Sequence, residues 1–177
     1  MKKVVLVISI FVIFIILYFL QANFFNWFTI AEIHPNLFVI FILIIGLFGG
    51  EKIAFPTGII LGILLDLFIS SKIGITSIML GLTGILAQFL DKNFTKESRA
   101  TLMLMVIGTT FFYEFGLYVL NAVILNTSFE LIPFIKICFI EMLYNAILTI
   151  ILYPLIQLYG NFIENSFRKQ NIITRYY

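Results

Sequence analysis

Apolar runs close to the length of a membrane-crossing helix follow one another along almost the whole chain of 177 residues. Such a helix needs about 20 mostly apolar residues, with a range of about 17–25. The second to fourth runs are short, which leaves re-entrant segments or locally thinned lipid as alternatives to full spans. The sequence predicts an all-α membrane protein that forms a single polytopic domain over residues 1–177. The six runs, treated as spans, cover residues 4–20, 35–49, 53–69, 73–90, 101–125 and 131–159.

The apolar residues exceed what a soluble fold of this size can bury. Hydrophobic residues make up 62% of the chain and charged residues 11%, against about 45–50% and about 25% in soluble domains. Small folds keep too much surface to hide that excess, so the remainder must face lipid. A net charge of +2 without a basic stripe argues against nucleic acid, and the single cysteine, Cys138, excludes an internal disulfide and any multi-cysteine metal motif. We predict no metal and no cofactor.

The distribution of basic residues predicts the orientation of the spans. Cytoplasmic loops carry an excess of Lys and Arg. Six spans with a cytoplasmic N-terminus place nine basic residues inside and two outside, so both chain ends are predicted to be cytoplasmic. The inside set is Lys2, Lys3, Lys52, Lys92, Lys96, Arg99, Arg168, Lys169 and Arg175, and the outside set is Lys72 and Lys136.

Three polar residues are predicted to share the outer quarter of the bilayer. Counting from the ends of the spans places Asp66, Asn121 and Lys136 near the outer ends of the third, fifth and sixth spans. Ionisable groups at membrane depth cost at least about 2.5–3.5 kcal/mol each, so each needs a partner or a route to water. One hypothesis is an ion pair between Asp66 and Lys136. The alternative is that each side chain reaches the headgroups separately.

Two glutamates are predicted to lie at similar depth near the middle of the membrane. They are Glu114 on the fifth span and Glu141 on the sixth, and Asn145 follows Glu141 by one helical turn on the same face. They could form a proton relay or a substrate site, or a protonated structural bond between helices. The lone His34 lies at a membrane edge, and no nucleophile–base–oxyanion pattern accompanies it. The sequence therefore predicts that the protein is not an enzyme.

Small residues mark one face on each of the third and fourth spans. Gly58 and Gly62 precede Asp66 at intervals of four residues, and Gly81 and Gly84 continue a face that also carries Ser77 and Gln88. Small residues let helix backbones approach closely where lipid provides no hydrophobic drive. We therefore expect the third and fourth spans to form the tightly packed centre of the fold, against each other.

The segment from Pro35 to about Leu90 carries a spaced set of proline, glycine and aspartate residues. They are Pro35-Asn36-Leu37 opening the second span, Gly58-x-x-x-Gly62-x-x-x-Asp66-Leu67 along the third, and Gly74 after the turn 70–72. This set, with the chain length, the span count and the basic loop after the fourth span, resembles the signature of the rod shape-determining protein MreD family. Lys72 and Ile73 depart from the small residues that usually precede that glycine.

The resemblance implies a fold, a location and a function. The fold would be a six-helix domain similar to the substrate-binding subunit of energy-coupling-factor transporters, in the bacterial inner membrane. The function would be that of a non-enzymatic scaffold of the cell-elongation machinery. It would couple the bitopic protein MreC and a peptidoglycan-building glycosyltransferase–transpeptidase pair to cytoplasmic MreB filaments. The positions implied to shape the core and the partner-facing surface are Pro35, Gly58, Gly62, Asp66 and Gly74.

The alternative function is that of a solute-binding membrane subunit of a vitamin transporter. Such a subunit needs outer loops that close over the ligand, whereas the loops 70–73 and 126–130 are very short. It also needs alanine-rich docking motifs in its first span, and residues 4–20 contain none. Both points favour the scaffold.

Overall fold

The fold is all-α, as a computed structural model of residues 2–69, 74–125 and 130–167 shows. These ranges contain six long α-helices and no β-strand beyond an isolated bridge between Ile30 and Ile33. A π-helical turn, Leu20–Phe24, and a 3-10 turn, Phe25–Trp27, continue the first helix. The helices are α1 (Lys2–Phe19), α2 (Leu37–Gly49), α3 (Glu51–Ile69), α4 (Ile75–Asn93), α5 (Arg99–Leu125) and α6 (Leu131–Phe167). Lys72, Arg168, Lys169 and Arg175, with the turn 70–73, lie outside the described residues.

Three helical stretches are long and apolar enough to cross a membrane. They are Val4–Trp27, Arg99–Ile124 and Leu131–Ser166. The apolar helix α2 is shorter, with 13 residues, which at about 1.5 Å per residue gives about 20 Å. The length and composition of these helices support insertion of the chain into a membrane.

The short helix α2 is the centre of the bundle. Every side chain from Leu37 to Phe48 is buried, and α2 contacts all five other helices. A helix that is apolar on every side is stable only when protein or lipid surrounds it completely. It begins two residues after the buried Pro35, with Asn36 as its N-cap, and it ends at Gly49, followed by the C-cap Gly50 with a φ of +81°. The core of the protein is therefore built around α2.

The helices α3 and α4 pack with their backbones in contact. A Cβ atom added to Gly58 would lie 2.4 Å from the Leu80 carbonyl oxygen, and one added to Gly62 would lie 2.3 Å from Ser77 Cα. A Cβ on Gly84 would lie 2.7 Å from the Ala54 carbonyl carbon. Real Cβ contacts are never this short, so only glycine permits this approach. The small residues of α3 and α4 therefore face each other.

The long helices α5 and α6 extend beyond the N-terminal end of α2. The backbone N–H of Asn36, at the start of α2, donates to Asn145 Oδ1 at 2.9 Å. Asn145 lies 14 residues after the start of α6, so about 21 Å of that helix precedes the level of Asn36. Asn121 and Lys136 belong to these extensions, whereas Asp66 lies near the level of Asn36.

Because the helices differ in length, the hypothesised ion pair between Asp66 and Lys136 does not form. Asp66 is completely buried and Lys136 is exposed. Among the described residues, the salt bridge is between Lys96 and Asp91. Counting residues from the ends of the spans placed Asp66 and Lys136 side by side because it assumed that all helices end at one level.

Candidate functional site

Asp66, near the end of α3, binds the first turn of α4. Its Oδ2 accepts hydrogen bonds from the backbone N–H groups of Gly74, at 2.7 Å, and Ser77, at 3.4 Å. Gly74 has a φ of +114° and no side chain, so α4 has no N-cap side chain of its own. A carboxylate stabilises a helix N-terminus by accepting its unpaired N–H groups and by opposing its dipole. Asp66 therefore caps the neighbouring helix.

A small cavity lies beside Asp66, at the point where α1, α2, α3, α4 and α5 meet. Its volume is about 140 Å³. Asp66 Oδ2 is engaged by α4, but Oδ1 has no hydrogen-bond partner among the described residues. The polar side chains that line the cavity are Gln21, Asn36, Asp66, Thr76 and Tyr113.

The buried N-terminus of α2 is held by side chains from three directions. Asn36 donates its backbone N–H to Asn145 Oδ1, and Leu37 donates its N–H to Gln21 Oε1 at 3.1 Å. The N–H of Val39 reaches Asn36 Oδ1 at 3.3 Å. The first N–H groups of a helix have no partner within it, and burial leaves no water to replace one. These side chains therefore allow α2 to begin inside the protein.

Asn145 joins α6 to α5 as well as to α2. Its Nδ2 donates to Thr110 Oγ1 at 3.0 Å, and its own backbone carbonyl accepts from Thr149 Oγ1 at 2.7 Å. Asn145, Thr110 and Thr149 are all buried. Buried polar groups are costly unless they are satisfied, so such a network fixes the relative positions of the helices.

The structure brings Glu114 of α5 and Glu141 of α6 together. Their carboxyl groups lie within reach of a hydrogen bond, close to the side chains of Asn36 and Asn145. The Oε1 atom of Glu141 is buried and has no hydrogen-bond partner among the described residues. Two carboxyl groups can share a hydrogen bond only when one carries a proton. A contact of that kind would link α5 to α6, next to the start of α2.

A second cavity, of about 460 Å³, opens between the C-terminal half of α5 and the first turns of α6. Glu114 faces it, together with Asn121 from the same helix and Glu130 from the loop before α6. Pro133 and Phe134 form part of the apolar wall. Asn121 is therefore a neighbour of Glu114 rather than of Asp66.

The remaining glycines differ in their surroundings. A Cβ on Gly81 would meet the side chain of Ile59 at 2.9 Å, within the α3–α4 contact. A Cβ on Gly108 of α5 would meet nothing within 4 Å, although sequence reasoning did not single this residue out. Gly74 is also open to space, and there the positive φ is what requires glycine.

Several residues of the site were missed by sequence reasoning. Tyr113 lines the Asp66 cavity, and its side chain lies against that of Asn36. Gln21 accepts a hydrogen bond from the Leu37 N–H, and Thr110 accepts one from Asn145 Nδ2. Asn36 was noted only as part of a motif, although an Asn directly before an apolar helix is a recognisable N-cap signal. Tyr113, Gln21 and Thr110 carry no such signal, because their partners are distant in sequence.

At the end of the bundle opposite to Asp66, a lysine side chain connects the end of α2 to the end of α4. Lys96 Nζ donates to the Leu47 carbonyl oxygen at 2.6 Å and forms the salt bridge with Asp91 at 2.8 Å. It also lies 4.6 Å from the centre of the Phe48 ring. Lysine near a helix C-terminus satisfies free carbonyls and opposes the dipole. Lys96 therefore caps α2 from the loop between α4 and α5.

The arrangement offers binding and packing rather than bond-making chemistry. His34 is exposed and lines neither of these two cavities. In the described part of the chain, no group of three or more His, Cys, Asp or Glu could hold a metal ion. The polar groups instead bond one another and the ends of helices.

Comparisons with known proteins agree with this architecture. A family model described as rod shape-determining protein MreD matches residues 1–163 of the chain. No curated protein and no solved structure matches the chain.

Proposed function

The chain belongs to the rod shape-determining protein MreD family, and on this premise we propose that it is a membrane scaffold of the cell-elongation machinery. Membership assigns it a role in rod shape determination, in a family of structural proteins that work with MreC and MreB. The finer proposal is that it couples an MreC-like bitopic protein and the peptidoglycan synthase pair to cytoplasmic MreB filaments.

The observation that carries the proposal is that the polar residues inside the bundle connect helices. Asp66 holds α4, Asn145 joins α2, α5 and α6, and Glu114 lies within reach of a hydrogen bond to Glu141. Such contacts give a membrane domain one fixed shape, which a scaffold needs in order to present constant surfaces.

We further propose six membrane passes, with both chain ends in the cytoplasm. The contact of Lys96 with Leu47 supports this, because the α4–α5 loop meets the α2–α3 junction at one end of the bundle. Asp66, Asn36 and the start of α4 meet at the other end. The short α2 fits this topology because protein surrounds it, so its length need not match the lipid thickness.

Partner helices would contact the exposed faces of the bundle. Gly58, Gly62 and Asp66 lie against α4 and act by packing, so a partner does not reach them. By contrast, α1 attaches through one narrow stripe of buried residues, Leu6, Ile10 and Phe14. Most of its apolar surface remains exposed and available to lipid or to a partner helix.

A complementation experiment tests the scaffold. In rod-shaped cells depleted of the native protein, the wild-type chain should restore rods and co-purify with an MreC-like partner. Gly62→Leu should give round cells, because its side chain would collide with the Ser77 backbone. Gly108→Leu, which meets open space, is the matched control for accumulation in the membrane. Rods maintained in depleted cells that carry no copy of the gene would contradict the proposal.

One observation favours a second function, the binding of a small solute. The 460 Å³ cavity between α5 and α6 falls within the range of about 300–1,000 Å³ that is usual for ligand sites. A vitamin-transport subunit would lose solute uptake on depletion while the cells kept their shape. A scaffold would show the opposite result.

A further inference from the structure

One oxygen of the completely buried Asp66 is left without a protein partner. Its Oδ2 is held by the N–H groups of Gly74 and Ser77. Its Oδ1 is buried and accepts no hydrogen bond from the described residues. A buried polar atom without a partner costs about 1–3 kcal/mol, and more when it is charged. The Oδ1 atom therefore has room for a positive or proton-donating group that the described residues do not supply.

The cavity beside Asp66 can supply room and oxygen ligands for such a group. The side chains that line it include Thr76 and Tyr113, which carry hydroxyl groups, and Asn36, which carries an amide. Carboxylate, hydroxyl and amide oxygens are the ligands that hard cations prefer. A water molecule takes about 30 Å³, so the volume of about 140 Å³ holds a small ion with some of its hydration shell.

Charge decides which ion fits best. Among the described residues, Asp66 is the one acidic side chain that lines this cavity, and these residues contain no group of three or more His, Cys, Asp or Glu that could hold a metal ion. A monovalent ion would neutralise one carboxylate, whereas a divalent ion would leave a net positive charge in apolar surroundings, where isolated charge is very costly. We propose that the cavity lined by Asp66, Asn36, Thr76 and Tyr113 binds a monovalent metal cation, Na⁺ or K⁺.

Bound there, the cation would stabilise the outer end of the bundle. It would connect the end of α3 to the starts of α2 and α4 and to the middle of α5, which all contribute to the cavity. Binding to the folded state alone raises its stability with ligand concentration. The site lies inside the chain, so it can be tested without partner proteins and independently of the scaffold function.

The test is thermal unfolding of the purified full-length protein in lipid nanodiscs. It compares sodium chloride, potassium chloride and N-methyl-D-glucamine chloride at equal ionic strength. We expect Tm to rise with Na⁺ or K⁺ and not with the organic cation. Above half-saturation the rise should be about 3–6 °C for each tenfold increase in concentration. The same Tm in all three salts would overturn the proposal. So would a Tm that depends on pH but not on the cation, because Asp66 would then hold a proton.

Variants show whether the dependence of Tm on the cation arises at Asp66. Asp66→Asn keeps an acceptor for Gly74 but removes the charge, and its Tm should be the same in all three salts. Asp91→Asn, which removes a surface carboxylate, should keep the full response to the cation. Thr76→Val should raise the half-saturating concentration about tenfold, since the loss of one good ligand is worth about that factor. If Asp66→Asn does not accumulate, Thr76→Val decides, and an unchanged half-saturating concentration would contradict the proposed site.

Discussion

Asp66 accepts a hydrogen bond at 2.7 Å from the backbone N–H of Gly74, so a residue of α3 caps the helix that follows it. The two residues are eight positions apart in the chain. Gly74 has a φ of +114°, and as the N-cap residue of α4 it offers no capping side chain of its own. This contact gives a physical reason for the pairing of the aspartate and the glycine in the central segment of the chain.

Removing the carboxylate of Asp66 should destabilise the α3–α4 pair. Asp66→Ala loses the acceptor for Gly74 and Ser77, and we expect a loss of about 0.5–2 kcal/mol, as for other helix caps. Asp66→Asn should lose less, because its amide oxygen still accepts. Denaturation of the purified protein in mild detergent measures both. Asp91→Ala is the control, since it breaks only a partly exposed ion pair, worth about 0–1 kcal/mol. Equal stability of Asp66→Ala and the wild type would show that the cap is unimportant.

A methyl group at Gly58 should separate α3 from α4. Its Cβ would lie 2.4 Å from the Leu80 carbonyl oxygen, which is backbone and cannot rotate away. Overpacking of this kind costs typically about 1–3 kcal/mol. Gly108→Ala is the matched control, because it meets open space and removes a flexible glycine from a helix. We expect the control to be neutral or stabilised in the same unfolding experiment. A Gly58→Ala variant as stable as Gly108→Ala would contradict the backbone contact.

The carboxyl groups of Glu114 and Glu141 should behave as a coupled pair with a structural role. The double variant Glu114→Gln/Glu141→Gln keeps hydrogen-bonding side chains and should support rod shape in depleted cells. Glu114→Ala and Glu141→Ala should each lower stability, and their effects should not add. Contacting residues show coupling of about 0.5–3 kcal/mol in double-mutant cycles. Round cells with a normally accumulated Gln/Gln double variant would instead assign proton chemistry to the pair.

Lys96 should contribute more to stability than the neighbouring Lys92. Lys96→Met keeps the apolar stem but removes the ammonium from the Leu47 carbonyl and from Asp91. We expect a loss of about 1–2 kcal/mol, the range for a hydrogen bond to a charged group with a helix-dipole contribution. Lys92→Met should be nearly neutral. Chemical denaturation compares the two, and equal effects would argue against Lys96 as the cap of α2.

Single cysteines should report the number of membrane passes. In a Cys138→Ala background, His34→Cys and Glu130→Cys should react with a membrane-impermeant thiol reagent in intact cells. Lys52→Cys and Lys92→Cys should react only after permeabilisation, because six passes place those two positions in the cytoplasm. Labelling of Lys52→Cys in intact cells would contradict the passage of α2 and α3 across the membrane.

The sequence alone determined the class of fold and the approximate helices. Lipid is a uniform apolar solvent, so a run such as 101–125 is readable from hydropathy without knowledge of its neighbours, and the structure has α5 over Arg99–Leu125. The spacing of Gly58 and Gly62 was equally readable, because small residues at intervals of four fall on one helical face. The family signature was recognisable for the same local reason.

Only the tertiary structure decided how polar residues are paired and at what depth they lie. An ion pair between Asp66 and Lys136 was one of two hypotheses, but α6 extends about 21 Å beyond the start of α2, and the aspartate meets Gly74 instead. The ends of α2 are satisfied by Gln21, Asn145 and Lys96, from segments far away in the chain. A buried polar group bonds whichever partner the packing of helices brings within about 3 Å. That partner depends on the lengths and relative shifts of the helices, which no local pattern encodes.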